Sequence, residues 1–232
     1  MSLIFHERLG HEGRRPSPFS WRIRYALAHK GLEAEVRPTR FADVEAIEAL
    51  SGQRFVPVLE HDGRVVADSW AIACHLEDAF PDRPSLFGGA AGRALARFVN
   101  SWTDQVLIGS MRRVIVPEFL DCLDAGDRAY FRSSREAQHG CTLEALAARR
   151  PELEAEVAAA LGPLRTLLTA QPYLCGEAPA YADYTAFSAF QYLRLGRPDD
   201  LLRPDDPVHA WRGRLIGMFD NLGERFPKHP RA

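Results

Sequence analysis

The chain has 232 residues, with 29 Lys and Arg against 31 Asp and Glu and a formal charge of −2. That near-balance gives no electrostatic footprint for nucleic acid or an anionic membrane surface, and no apolar run approaches the ~20 residues a membrane helix needs. The length allows one or two domains with a substantial core. The start, Met1-Ser2-Leu3-Ile4-Phe5, lacks the basic flank and apolar core of a signal peptide. Cys74, Cys122, Cys141 and Cys175 are scattered without C-x-x-C spacing, the pattern of reduced thiols in a cytosolic protein.

In chain order, Leu3 to Phe5 predicts a short strand, followed by a polar loop from Glu7 to Pro16. Ser17 then suits an N-cap and Pro18 the first helical position. Phe19, Ile23, Ala26 and Leu27 follow at i, i+4, i+7 and i+8, one apolar helical stripe, closed by Lys30-Gly31. Glu33-Ala34-Glu35-Val36-Arg37 alternates weakly and predicts a second strand, so this first unit is βαβ with parallel pairing. A weak helix is expected from Phe41 to Leu50. Two apolar runs, Val56-Pro57-Val58-Leu59 and Val65-Val66-Ala67, flank Asp62-Gly63, a hairpin signal. Asp68-Ser69 opens a further helix carrying Ile72, Leu76, Ala79 and Phe80, and the Gly/Pro-rich run that follows predicts a linker.

Beyond that run the pattern is helical, in amphipathic segments at roughly 93–122, 127–148, 152–170, 182–194 and 208–222, with no internal repeat. The resulting expectation is an α/β N-terminal domain in the thioredoxin-like order βαβ-α-ββ-α over 1–82. A linker over 83–92 leads to an all-α C-terminal helical domain over 93–232.

The first candidate for chemistry is the helix start at Ser17. Ser17 and Ser20 occupy the sulfur positions of a C-P-x-C redox loop. Serine forms no disulfide, so dithiol exchange is excluded, but a hydroxyl at a helix N-terminus can hold another molecule's thiolate. On local pattern alone a plain N-cap is the better explanation of Ser17, and the same holds for Asp68-Ser69. Ser20, one turn in, points sideways. His6-Glu7 and His11-Glu12 place histidines five apart, not four, which argues for a solvated loop over a metal site. Gly88, Gly89 and Gly92 follow no strand and read as linker. Trp102, Met111, Phe119 and Tyr130 are candidates for an apolar pocket, with at most half expected there and the rest in the core.

Five stretches together resemble the cytosolic glutathione transferases, most closely the etherase-related branch whose bacterial members cleave β-aryl ethers. They are SPFSWRIRYALAHKGL (17–32), FVPVLEHDGRVVADSW (55–70), PDRPSLFGG (81–89), DRAYFRSSRE (127–136) and ADYTAF (182–187). The resemblance implies Ser17 as the serine contacting the glutathione sulfur, with Phe19 beside it in the glutathione site. It implies a cis Pro57 preceded by Val56, whose backbone pairs with the cysteinyl part of glutathione. Asp68-Ser69 becomes the pair that holds the γ-glutamyl ammonium and carboxylate. Two positions depart from the pattern. Phe55 stands where the family usually has Lys or Arg, with Arg54 one place earlier, and Ala180 replaces the capping residue three places before Asp183, an expected loss of ~1 kcal/mol.

The implied function is a glutathione transferase, cytoplasmic and homodimeric, that uses no metal and activates glutathione for attack on a small aromatic electrophile; aryl-ether cleavage is its narrower form. A non-catalytic carrier of aromatic ligands is the alternative, and a disulfide reductase, lacking an active-site cysteine, ranks third. The loop from Glu7 to Pro16 is expected to shape or cover the acceptor site, with Arg8, Arg14 and Arg15 available to a phenolate or carboxylate. The end at Ala232, soon after the last helix, implies no extended C-terminal pocket wall.

Overall fold

A computed structural model describes residues 2–229; Ala232, on which the expectation about the C-terminal wall rests, lies outside them. The central strand, β1, spans Leu3–Arg8. It pairs parallel with β2 (Glu35–Thr39) and antiparallel with β3 (Val58–His61), and β3 pairs antiparallel with β4 (Arg64–Ala67), giving the order β2-β1-β3-β4. The βαβ unit and the hairpin are therefore both present. Pro38 sits in β2, an edge strand, where a missing N–H is tolerated.

One expectation fails here: Glu7 and Arg8 belong to β1, opposite Pro38 and Thr39, rather than to a polar loop. The physical reason is charge pairing. Glu7 is fully buried, and its carboxylate is met by both Arg15 and Arg24. His6 is also in the strand and pairs with Glu60 at 2.7 Å, so the His6–Glu7 pair is not a solvated loop. His11, in the following turn, pairs instead with Asp124 at 2.9 Å.

Helix α1 (Pro18–His29) packs on one face of the sheet with α3 (Ser69–Ala79), burying Phe5, Ile23, Leu27, Leu59, Ile72 and Leu76 in a common core. Helix α2 (Val44–Ser51) starts later than expected, because Phe41–Asp43 forms a 3-10 turn in which Asp43 accepts from the Arg40 N–H. Lys30 is buried at the end of α1, where its ammonium meets the carbonyls of Phe80 and Pro84 and the Glu77 carboxylate. It thus pins the linker to the sheet domain.

The helical half begins with α4 (Ala90–Trp102), so Gly92 lies within its first turn rather than in the linker. A Cβ at Gly92 would fall 1.9 Å from the Phe87 carbonyl oxygen, a contact only glycine permits. The expected 93–122 segment is interrupted by a π turn at Thr103–Leu107, then by α5 (Ile108–Ile115) ending just before Pro117. Helices α6 (Ala125–His139) and α7 (Leu143–Ala148) are parted at Gly140, which has φ +68. Leu161 likewise separates α8 (Arg150–Ala160) from α9 (Gly162–Ala170), which opens on Gly162-Pro163.

Helix α10 (Tyr181–Gly196) is buried at every residue except Arg194 and forms the axis of this half, with α11 (Pro207–Asn221) against it. Its N-cap, Ala180, offers no side-chain acceptor, yet half of the capping box remains. The Asp183 carboxylate accepts from the N–H groups of Ala180, Leu174 and Cys175 and from the Trp211 indole. Burial pushes the Asp183 carboxyl up, and the Trp211 indole, the Leu174 and Ala180 N–H groups and the Cys175 thiol pull it the other way. None of the four cysteines forms a disulfide. Among the described residues no helix is long and apolar enough to cross a membrane.

Candidate active site

The sheet domain and the helical half together enclose a cavity of about 630 Å³. Ser17, Phe19, Val56, Pro57, Asp68 and Ser69, each singled out by sequence, all line it.

Ser17 is the N-cap of α1, and its Oγ accepts the Ser20 N–H at 3.2 Å. Of the first-turn donors, Pro18 has none and Ser20 is committed to this cap, which leaves the Phe19 N–H. The cap occupies a lone pair of the Ser17 oxygen and leaves its proton uncommitted, so capping and donation to a ligand are compatible in one hydroxyl. Ser20, the rival hydroxyl, is buried away from the cavity, and among the described residues its Oγ has no hydrogen-bond partner.

The Val56–Pro57 peptide is cis. Asp68 holds φ +78 and ψ 131, a conformation that costs a non-glycine residue roughly 1–3 kcal/mol. Its Oδ1 accepts the N–H groups of Trp70 and Ala71, both at 3.0 Å, which caps α3. Ser69 is buried, and its carbonyl accepts the Tyr181 hydroxyl at 3.1 Å, which ties the site to α10. Phe55 is 71% exposed at the cavity mouth and supplies no positive charge. Gln53, which sequence reasoning missed, also lines the cavity, and its amide donates to the Phe55 carbonyl at 2.9 Å.

The opposite wall is aromatic and cationic. Phe119 stacks on Phe131 with centroids 5.2 Å apart, Phe41 meets Phe131 edge-on, and Tyr192 packs against Phe119. The Arg8 guanidinium lies 4.7 Å over the Phe41 ring and that of Arg135 4.9 Å over Phe131, with Arg112 on the same wall. Burial lowers the pKa values of Arg8 and Arg135 from the usual arginine range. Asp127 and Asp43 oppose that shift at Arg8, whereas Arg112 adds to it at Arg135. Burial raises the Tyr192 hydroxyl against the pull of Arg112 and Arg135.

Sequence reasoning missed most of this wall. Of Trp102, Met111, Phe119 and Tyr130, only Phe119 lines the cavity; Met111 is in the core, Trp102 packs against it, and Tyr130 is exposed. The loop before Ser17 contributes Pro16 alone, and Arg8 reaches the cavity from the end of β1. Arg14 donates to the Lys228 carbonyl and Arg15 to Glu7, so neither is available to a ligand there. A signal for the wall does exist: Phe131, Ser134, Arg135 and Gln138 recur at i, i+3, i+4 and i+7 along α6, and all four line the cavity.

Comparison with known proteins agrees with this architecture. Residues 16–79 match the model of the glutathione S-transferase N-terminal domain, and residues 94–217 that of the glutathione S-transferase C-terminal domain. The chain belongs to the glutathione S-transferase family. A probable glutathione S-transferase of Oryza sativa subsp. indica is 40% identical over 101 residues, 39% of this chain and 44% of that protein. A maleylacetoacetate isomerase of Dictyostelium discoideum is 32% identical over 87 residues, 35% of this chain and 40% of that protein. The chain thus spans less than half the length of these curated relatives. Among solved structures, a glutathione transferase of Phanerochaete chrysosporium superposes with a TM-score of 0.83 at 24% identity, covering 93% of this chain and 96% of that one. A glutathione S-transferase of Ceriporiopsis subvermispora, in complex with glutathione, gives 0.81 at 20% identity, covering 98% and 99%. The β-etherase LigF of Sphingobium sp. strain SYK-6 gives 0.70 at 22%, covering 94% and 96%. At these identities the likeness establishes the fold.

Proposed function

We propose that the chain is a glutathione transferase in which the Ser17 hydroxyl donates to the glutathione sulfur and holds it as a thiolate. The observation carrying this reading is the Ser17 cap, whose oxygen accepts from Ser20 and whose proton remains available at a helix N-terminus that lines the cavity. A free thiol titrates near ~8.5, and lowering it by about two units needs roughly 2.7 kcal/mol of preference for the anion. The helix end supplies at most ~2 kcal/mol and one charge-assisted hydrogen bond roughly 1.5–3. Together they suffice.

In this reading the Val56 backbone pairs with the cysteinyl unit. The Asp68 carboxylate and Ser69 hydroxyl take the γ-glutamyl end, and Phe19 borders the sulfur. The thiolate then bonds to an electrophilic carbon of an aromatic acceptor, and the leaving group departs with its electron pair. In the narrower version the leaving group is a phenolate, for which the fold shared with a β-etherase recommends aryl ethers as test substrates. The test is the ultraviolet thiolate absorbance of bound glutathione against pH. A depressed pKa that reverts in Ser17→Ala supports the reading; bound glutathione with an unshifted pKa overturns it.

The aromatic wall favours one alternative, a non-catalytic carrier of aromatic ligands, which would bind such ligands without turnover and keep that binding in Ser17→Ala. The proposed setting is the cytoplasm and the proposed assembly a homodimer. For the latter, Leu95 and Phe98, three apart on α4, are 68% and 70% exposed and share one helix face.

A further inference from the structure

We infer that the acceptor wall selects an aromatic electrophile carrying a carboxylate, with Arg112 and Arg135 holding that anion and Phe119, Phe131 and Tyr192 holding its ring. The identity of the ligand as an electrophile rests on the transferase reading, whereas its anionic, aromatic character rests on the cavity alone.

The argument is one of charges left without partners. The two arginines adjoining this pair in structure and sequence are neutralised: Arg113 by Glu156, and Arg132 by Glu136 and Glu144. Arg112 and Arg135 line the cavity and, among the described residues, neither has a carboxylate within ion-pair distance; Arg135 lies over the Phe131 ring and donates to the Gln138 amide oxygen at 3.4 Å, both uncharged partners. Their neighbours make matters worse. Each lies within electrostatic reach of the other, and both add, as Arg113 does, to the lowering of the His139 pKa that burial causes. Two like charges on one half-buried wall are unfavourable in the empty protein and become favourable once an anion lies between them.

Arg8 is the poorer candidate for this role. It donates to the Arg40 carbonyl at 2.5 Å and faces Asp43 and Asp127, which offset its charge. The anion therefore belongs at the Arg112 and Arg135 end. A planar carboxylate matches the guanidinium fork. The stacked Phe119 and Phe131, with Tyr192 beside them, favour a flat ring next to it.

The experiment compares two matched pairs of arenes. Binding of dinitrobenzoate and of neutral dinitrobenzene is measured by calorimetry in the presence of glutathione. Turnover is measured with chlorodinitrobenzoate and chlorodinitrobenzene, where sulfur bonds to the ring carbon, the C–Cl bond breaks, and chloride leaves with the electron pair. The expected result is at least tenfold tighter binding of the benzoate, and a ratio of kcat/KM values, benzoate over neutral, that falls at least tenfold in Arg112→Gln/Arg135→Gln through KM. Arg135→Lys, which keeps the charge, retains most of the ratio. Equal binding of both arenes by the unaltered protein overturns the inference, whatever the variants do. So does a preference that survives the double substitution, or a double variant whose glutathione affinity falls as far as its benzoate affinity, since the arginines would then serve glutathione's own carboxylate. Turnover of neither chloroarene with the binding preference intact tells against the transferase reading and supports the anion site.

Discussion

Arg22 Nη2 lies 2.5 Å from Asp104 Oδ1, an ion pair that fastens α1 to the π turn where α4 gives way to α5. The same guanidinium donates to Asn100 Oδ1 at 3.1 Å and Ser188 Oγ at 3.2 Å and lies 4.8 Å over the Phe19 ring. One fully buried side chain therefore joins the helix that carries Ser17 to α4 and α10.

Removing a buried charge from such a network strands its partners. Arg22→Ala is expected to lower unfolding free energy by about 3–5 kcal/mol in urea denaturation. Asp104→Asn leaves the fully buried guanidinium without its counter-charge and is likewise expected to cost about 3–5 kcal/mol. A cost below ~1 kcal/mol at Asp104 would mean that the pair does not organise the network.

At Ser17 the cap and the proposed thiolate contact can be separated. Glycine caps nearly as well as serine, whereas alanine costs ~1 kcal/mol of helix stability. Ser17→Gly and Ser17→Ala are both expected to return the bound thiol toward its free value near ~8.5, and only Ser17→Ala to lower the urea midpoint clearly.

His29 makes stability pH-dependent. Its Nε2 faces the Ser85 carbonyl at 3.1 Å and so carries the proton, and its Nδ1 faces the Tyr184 hydroxyl at 2.7 Å as acceptor. Burial lowers its pKa below the usual value. An unfolded histidine titrates near ~6.5, so below that pH the unfolded chain binds a proton the folded chain refuses. Stability from this site is complete above ~6.5 and is lost as pH falls through the lower folded value. His75 and His139 are shifted the same way. Urea midpoints measured from neutral to mildly acid pH are expected to fall, and to fall less steeply in His29→Gln.

Ala180→Ser is expected to stabilise the protein. Ala180 already has extended cap geometry, with φ −140 and ψ −166, and its N–H is held by Asp183. A hydroxyl there restores the missing half of the box, worth about 0.5–1 kcal/mol, readable as a higher urea midpoint at unchanged slope.

For the proposed homodimer, Phe98→Glu places a charge on the exposed face of α4 and is expected to halve the sedimenting mass. An unchanged mass in both proteins would place Leu95 and Phe98 outside any subunit contact.

The parts of this molecule that sequence anticipates are those encoded within one element. Ser17-Pro18 starts a helix, Asp62-Gly63 turns a hairpin, and Asp68-Ser69 caps α3, each by chemistry within four residues. Glu7 and Arg8 read as loop because their charges are cancelled by Arg15 and Arg24 or absorbed at the cavity, contacts absent from the local pattern. The aromatic and cationic wall is illegible for a related reason. Arg112, Phe119, Arg135 and Tyr192 come from separate elements and meet only once α5, the 3-10 turn at Phe119–Cys122, α6 and α10 have packed. The breaks inside the long helical segments follow glycines and prolines whose individual weight an amphipathic stripe obscures.

The double use of the Ser17 oxygen gives the proposed chemistry an unusual sensitivity to its own scaffold. A helix frays first at its ends, and in the proposed mechanism the fraying end is also the catalyst. A chain whose first turn opened for a fraction of the time would be dark for that same fraction, while its core, its fluorescence and its unfolding midpoint reported nothing amiss. Turnover would therefore serve as a gauge of order in a single turn of α1, finer than any measurement on the whole molecule.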